Sequence, residues 1–507
     1  MLLLYPPVAR SPEPPIGLAR LAGWSRSREI DVHCIDLNQE GQEFLLESAV
    51  KAEDSWTRGA LKRRQRAASA LRERQTYGNY DRYARAVGDL DRALRAASGL
   101  AGVAASLADY RDPRRSPLRK CDLIDSARNY KANVFYELFE RRIGPELESE
   151  LESNPMGFVG ISICYLSQVL CAFALCGYIK SVSPETKITL GGSLVTSWVA
   201  GSRIAPGEEF EGFVDAILAG PGEESLGSLL DIPDSRIAGA PRFDDFLDLG
   251  YFAPVRIIPY NFSSGCAWKR CSFCPETAEN MPYRGKNRET AITELAVLRE
   301  RYDPGLFHFT DNEIAPLYLR SLMDHPPGAP WYGFARFSRL LLDPKACDEL
   351  AASGCRMLQL GLESADQDVL DALGKGTRVE EIDRILKNLK ASAIAVFLYV
   401  IFGTPSEDRN SAMRTRDFVA TRAGYIRFLN LALFNLPASG GEASKLETAN
   451  FYDADLSLYS EFRHPKGWDR AHAREFLEKD FLSVPENRAI FKRTPPVFTS
   501  NHAPFFI

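Results

Sequence analysis

No stretch of this 507-residue chain is both long and apolar enough to span a bilayer, so no membrane-spanning helix is expected. Positive charge is not in excess: 62 Lys and Arg against 67 Asp and Glu leave a net charge of −5. The chain therefore exerts no overall pull on nucleic acid or anionic membrane, and neither is expected as a partner. The opening stretch, Met1 to Pro7, has no basic n-region and breaks into prolines, unlike a signal peptide. Ten cysteines without an export signal then point to a reducing, cytoplasmic setting, where thiols act as ligands rather than bridges. Zinc signatures are missing as well, with neither a second spaced cysteine pair downstream nor a His-x-x-x-His. What remains, at 45% hydrophobic and 25% charged, is an ordinary globular composition long enough for two or three domains.

Against that background three cysteines stand out. Cys266, Cys271 and Cys274 lie in the run Ser263 to Cys274, just after an apolar stretch ending at Tyr260. Thiolates this close can ligate three irons of a [4Fe–4S] cube and leave the fourth iron open to a small molecule. The other cysteines read differently. Cys34, Cys121, Cys347 and Cys355 are expected in the core, and so are Cys164, Cys171 and Cys176, which fall on a strand and the apolar helix after it.

Along the chain, Leu2 to Leu4 reads as a buried strand, followed by a helix entered through Pro14-Pro15 and a second strand, Asp31 to Leu37. Strand, helix, strand at this spacing is a βαβ unit with a parallel sheet. The strand pattern resumes at 158–164, 187–190 and 216–218, so a helical block at about 40–155 is an insertion within one doubly wound sheet. The basic run Trp56 to Gln75 is interleaved with acidic neighbours and reads as a solvated helix face. Gly191, Gly192 and Ser193, and then Gly220 and Gly222, sit at strand ends, where backbone approaches a ligand closely or simply turns. Residues 231–254 read as a linker.

Six βα units follow over 255–435, enough for a partial (β/α)6 barrel. Chemistry in such barrels gathers at the strands' carboxyl ends, which here carry Asp311-Asn312-Glu313, Arg336, Glu363-Ser364, Gly403 and Asn435. Residues 436–507 form a C-terminal extension, with an aromatic and polar stretch at 462–468 that either caps the barrel mouth or packs beside it.

With these blocks in place, the second half resembles the radical S-adenosylmethionine (SAM) superfamily. The likeness lies in residues 265–274, 307–313, 358–367 and 400–408, over about 255–435. The family's usual spacing is Cys-x3-Cys-x2-Cys, whereas four residues separate Cys266 from Cys271 here. The resemblance implies a [4Fe–4S] cluster on Cys266, Cys271 and Cys274, which cleaves SAM to a 5′-deoxyadenosyl radical. It further implies Asp311, Asn312 and Glu313 at the SAM amino group, Arg336 at its carboxylate, and Glu363 and Ser364 at the ribose or sulfonium region. Phe273 and the backbone at Gly403 would lie near the adenine. An electron donor such as flavodoxin or ferredoxin is implied as a partner.

The first half (1–38 and 157–230) resembles the cobalamin-binding domain often fused before such barrels. The family's Asp-x-His-x-x-Gly is missing, and the one early histidine, His33, reads as strand structure. The likeness implies cobalamin at Gly191, Gly192, Ser193, Gly220 and Gly222. Together the halves imply methylation of an unactivated carbon or phosphorus in a small molecule or peptide. The alternatives are a cobalamin-independent rearrangement, ring formation or coupling, and, in another class, a non-catalytic Fe–S or cobalamin sensor. A transfer-RNA methylthiotransferase is not expected, because it would need a second cysteine triad and a basic end domain.

Overall fold

The computed structural model describes residues 1–153, 158–232, 239–497 and 503–507. Its contacts divide into two units, residues 1–254 with 454–457, and residues 255–453 with 458–507.

In the first unit five parallel strands lie in the order His33–Asp36, Leu2–Tyr5, Phe158–Ser162, Lys187–Gly191, Ala216–Ile217. Leu2–Tyr5 is buried along its whole length, as a central strand covered on both faces must be. From it the chain adds one strand on one side and then three on the other. This is the doubly wound pattern, and its crevice opens at the strands' carboxyl ends, between Leu2–Tyr5 and Phe158–Ser162.

The helical insertion includes Leu37–Glu47, Ser55–Leu71, Arg74–Tyr77, Tyr80–Gly99, Lys120–Arg128 and Tyr136–Ser153, with the small hairpin Ala104–Ala105 and Tyr110–Arg111. Its packing explains the unusual apolarity of helix Leu166–Val182, in which every residue from Gln168 to Ile179 is buried. Helices Lys120–Arg128 and Tyr136–Ser153 pack on it, so its middle has no solvent face to keep polar. At Gly177 the approach is so close that a Cβ would stand 1.9 Å from the Ala127 carbonyl oxygen. Cys171 and Cys176 lie inside this helix, and burial pushes both thiols up to about 12, as core packing requires. Cys34, Cys347 and Cys355 are buried too, but Cys121 is exposed near the start of Lys120–Arg128 and Cys164 is only half-buried, so both depart from the expected core position. Helix Ser55–Leu71 buries its alanines and leucines and keeps its arginines outward, Arg63 pairing with Asp89 at 2.7 Å.

The described part of the expected linker belongs to the first unit. Phe243, Phe246 and Phe252 are buried there, and Asp245 pairs with Arg26 at 2.7 Å. Three spaced aromatics in a polar stretch were enough to fasten it, and they give no periodic signal.

In the second unit six parallel strands follow one another in chain order: Ile257–Tyr260, Leu306–Phe309, Trp331–Ala335, Cys355–Glu363, Ala395–Phe402 and Phe428–Leu433. Among the described residues the first and sixth strands do not pair, so the sheet is an open, partial (β/α)6 arrangement. Its helices are amphipathic in the ordinary way: Val379–Ala391 buries Ile382, Ile385, Leu386 and Leu389, one face at helical spacing. The extension adds an antiparallel sheet of Leu436–Pro437, Thr448–Asn450 and Tyr459–Phe462, and helices Arg470–Phe476 and Pro485–Arg493. No helix among the described residues is long and apolar enough to cross a membrane.

Candidate functional site

The first strand of the second unit delivers the chain to the cysteine loop through a turn that Asp311 holds. Asp311, just beyond the second strand, accepts the Phe262 and Ser263 amides at 3.0 and 2.7 Å and the Ser263 hydroxyl at 2.6 Å. Burial pushes its carboxyl up to about 6 against the pull of those donors. Gly265 follows with φ +73°, where a Cβ would meet the Pro282 carbonyl oxygen at 2.6 Å. The loop is then pinned along its far side: Ser272 donates its amide to the Leu373 carbonyl at 3.0 Å, and the Trp268 indole N–H donates to that of Gly374 at 2.8 Å.

Around this loop the strand ends supply charges in a connected set. The Cys266 thiol donates to Glu313 Oε2 at 3.2 Å. Glu313 Oε1 lies 3.8 Å from Arg336 Nε, at the end of the third strand. Arg336 Nη1 donates to Cys271 Sγ at 3.7 Å, its guanidinium stacks 4.4 Å from the Trp268 ring centre, and it donates to the Lys375 carbonyl. At the end of the fourth strand Glu363, held at φ +61°, pairs with Lys375 at 2.6 Å, with both side chains buried. Lys375 Nζ lies 5.6 Å from the Phe273 ring centre. Burial raises all three thiols, Cys274 to about 11, while Lys375 and Arg336 act against the rise at Cys271.

Cys266, Cys271, Phe273, Glu313, Arg336 and Glu363 are therefore linked in one constellation, and Cys274 caps the short helix Pro275–Ala278 on the same loop. Among the described residues no three His, Cys, Asp or Glu side chains converge on a point that would hold one metal ion. A cube sets a different requirement, because each of its ligating sulfurs takes its own iron. A loop with three thiols in reach of two cations fits that donor set.

Other expected site residues are engaged elsewhere. Asp311 spends both oxygens on the loop's backbone, and Asn312 beside it is exposed. Ser364 is 1% exposed, 3.2 Å from Thr415 Oγ1, and accepts the Asp366 amide. Gly403, at φ +83° after the fifth strand, gives its amide to Glu407. Glu407 also accepts the Trp468 indole N–H at 3.0 Å, and His464 lies 2.8 Å from the Thr404 carbonyl. The extension thus fastens to the carboxyl end of the fifth strand. Lys375, Trp268 and Glu407 escaped the sequence reading. The signal for the first was the pair of glycines flanking it, 374 and 376, which only a crowded turn needs.

In the first unit, Gly192 has φ +102°, and a Cβ there would stand 2.4 Å from the Ile163 carbonyl oxygen. Ser193 donates to the Cys164 carbonyl at 3.4 Å, and Gly220, at φ +85°, gives its amide to Thr196 Oγ1 at 3.0 Å. Gly222 opens a helix, and a Cβ there would stand 3.1 Å from the Leu21 side chain. Gly191 ends the fourth strand of the sheet and accepts the Ile163 amide at 2.8 Å. At the same end of the sheet Tyr165 and Leu166 are 53% and 39% exposed. His33 lies 2.9 Å from Glu146 and away from this end, at the start of its strand.

Residues 260–419 match the family model described as the Radical SAM superfamily. The anaerobic magnesium-protoporphyrin IX monomethyl ester cyclase of Rubrivivax gelatinosus is 23% identical over 362 residues, which cover 60% of this chain and 63% of that one. The bacteriochlorophyllide d C-12(1)-methyltransferase of Chlorobaculum tepidum is 30% identical over 173 residues, 32% of this chain and 37% of that one. The chain thus spans less than two thirds of either relative's length. Among solved structures, the radical S-adenosylmethionine methyltransferase TsrM from Kitasatospora setae, with tryptophan substrate and a SAM analogue bound, superposes with a TM-score of 0.55 at 14% identity. That match covers 98% of this chain and 92% of TsrM. At that identity the likeness is one of fold, and it spans both units.

Proposed function

We propose, from the premise that residues 260–419 are a radical SAM domain, that this protein is a radical SAM enzyme with a cobalamin-dependent methyltransferase activity on a small molecule or peptide. The observation that carries the reading is the linked array Cys266–Glu313–Arg336–Cys271 with Glu363–Lys375, set at the carboxyl ends of successive parallel strands. When bound, a [4Fe–4S] cluster would supply the electron that splits SAM into methionine and a 5′-deoxyadenosyl radical, and a cobalamin would carry the transferred methyl group.

The chain's own residues divide the remaining work. Cys266, Cys271 and Cys274 would hold the cluster through three of its irons. Glu313 and the exposed amide of Asn312 accept from the SAM ammonium, and the Arg336 fork suits its carboxylate. Glu363, buried beside Lys375, serves the ribose or sulfonium region, and Phe273 and the Gly403 turn border the adenine. Asp311 and Ser364 serve this site as supports, Asp311 by fixing the loop that carries the thiols.

Cobalamin would be held at the carboxyl end of the first unit's strands, by Gly191, Gly192, Ser193, Gly220 and Gly222, near Tyr165 and Leu166. The fold likeness to TsrM over both units favours this reading. Cobalamin-independent ring formation is the second reading, kept by the longer alignment with a cyclase. Retention of hydroxocobalamin after desalting, read from its absorption spectrum, decides between them. One equivalent retained is expected, and none retained with SAM cleavage intact would leave only the cobalamin-independent chemistry.

A further inference from the structure

Lys375 is a buried cation beside the cysteine loop, and the sequence gives it an unusual setting. It sits between Gly374 and Gly376, both at positive φ, +65° and +66°. A Cβ at Gly374 would stand 2.4 Å from the Arg270 carbonyl oxygen, and one at Gly376 2.1 Å from the Trp268 ring. Neither position tolerates a side chain, so the segment lies against the loop between Cys266 and Cys271. Four contacts hold it there: Ser272 to the Leu373 carbonyl, Trp268 to that of Gly374, Arg336 to that of Lys375, and the ion pair of Lys375 with Glu363. A lysine this enclosed costs desolvation, which one carboxylate offsets only in part. Its charge is spent on the surroundings of the loop.

We propose that Lys375 is a positioning residue that sets the charge of the three-cysteine centre, raising the reduction potential of the cluster held there and fixing the Glu363 carboxylate in place. The inference rests on the function proposed above and gives Lys375, there only part of the array, a role of its own. The reasoning is electrostatic. Three thiolates, Glu313 and Glu363 bring negative charge to one small volume, with Arg336 and Lys375 as the buried or half-buried cations linked to them. Cluster potentials follow net local charge and solvent exposure. Adding an electron to a site already rich in anions is harder with one cation fewer, so losing Lys375 lowers the potential and losing the Glu363 charge raises it.

The test is a redox titration of the anaerobically reconstituted full-length protein, followed by the electron paramagnetic resonance signal of the reduced cluster without SAM. Lys375→Met is expected to lower the midpoint potential, Glu363→Gln to raise it, Lys375→Arg to leave it near wild type, and the double variant Lys375→Met/Glu363→Gln to return it toward wild type. Opposite shifts that cancel in the double variant are what charge produces and what simple loosening of the loop does not. Unmoved potentials, or shifts of the same sign in both single variants, overturn the inference while leaving the proposed function standing. Should Lys375→Met not fold, Glu363→Gln decides alone, since a potential that fails to rise overturns the proposal. A wild-type protein that forms no reducible cluster overturns the proposed function and this inference together.

Discussion

Glu407 illustrates how much one buried side chain can carry. It is fully buried, accepts the Gly403 amide and the Trp468 indole N–H on one oxygen, and leaves its Oε1 without a partner among the described residues. Burial raises its carboxyl to about 8 from 4.5, so the folded state holds a proton that the unfolded chain releases. The stability tied to that proton is complete below the unfolded value and is lost as pH climbs through the folded one. Glu407→Gln keeps the acceptor and removes the titration. The variant should therefore gain on wild type between about pH 6 and about pH 9, by on the order of a few kcal/mol, in urea melts at the two pH values. Equal stability gaps at both would show that Glu407 does not titrate in this range. At the same scale, Cys266→Ala, Cys271→Ala or Cys274→Ala should each abolish the iron retained after reconstitution and desalting, while Cys121→Ala, on the exposed face, should leave it unchanged.

The elements were the most legible part of the sequence, and for a physical reason. Parallel strands buried on both faces leave unbroken apolar runs, and helices between them bury one periodic face, so six βα units could be read with ends shifted by only a few residues. What the sequence did not carry is whatever depends on contacts between distant segments. Residues 239–254 read as a linker because three phenylalanines have no period, although packing makes them part of the first unit. Asp311 and Glu363 stand alike at strand ends, yet one ties down backbone and the other meets a lysine twelve residues on. Glycines mark such contacts better than polar residues do, and two of them give element-scale predictions. Gly177→Ala drives a methyl into the Ala127 carbonyl and should cost about 1–3 kcal/mol or more, measured by chemical denaturation. Gly376→Ala combines a positive φ with a clash on Trp268, and should loosen the cysteine loop at a similar cost, seen as faster loss of iron to a chelator.

At the scale of the whole chain, each of the two parallel-sheet units carries a candidate site. The second unit assembles its charged array from the ends of consecutive strands and a loop that other loops hold down. The first offers glycine turns and the half-exposed Tyr165 and Leu166 at the carboxyl ends of a doubly wound sheet. The three cysteines were legible because their spacing is local in sequence, and the neighbours that give them their electrostatics were not, since those arrive from three other strands. The central claim is that this loop, so surrounded, cleaves SAM. It is tested most directly by reconstituting the protein anaerobically, adding dithionite and SAM, and quantifying 5′-deoxyadenosine by chromatography for wild type and Cys266→Ala. Accumulation with wild type and none with the variant is the expected result. No 5′-deoxyadenosine from a wild-type protein that holds its full complement of iron would contradict the claim.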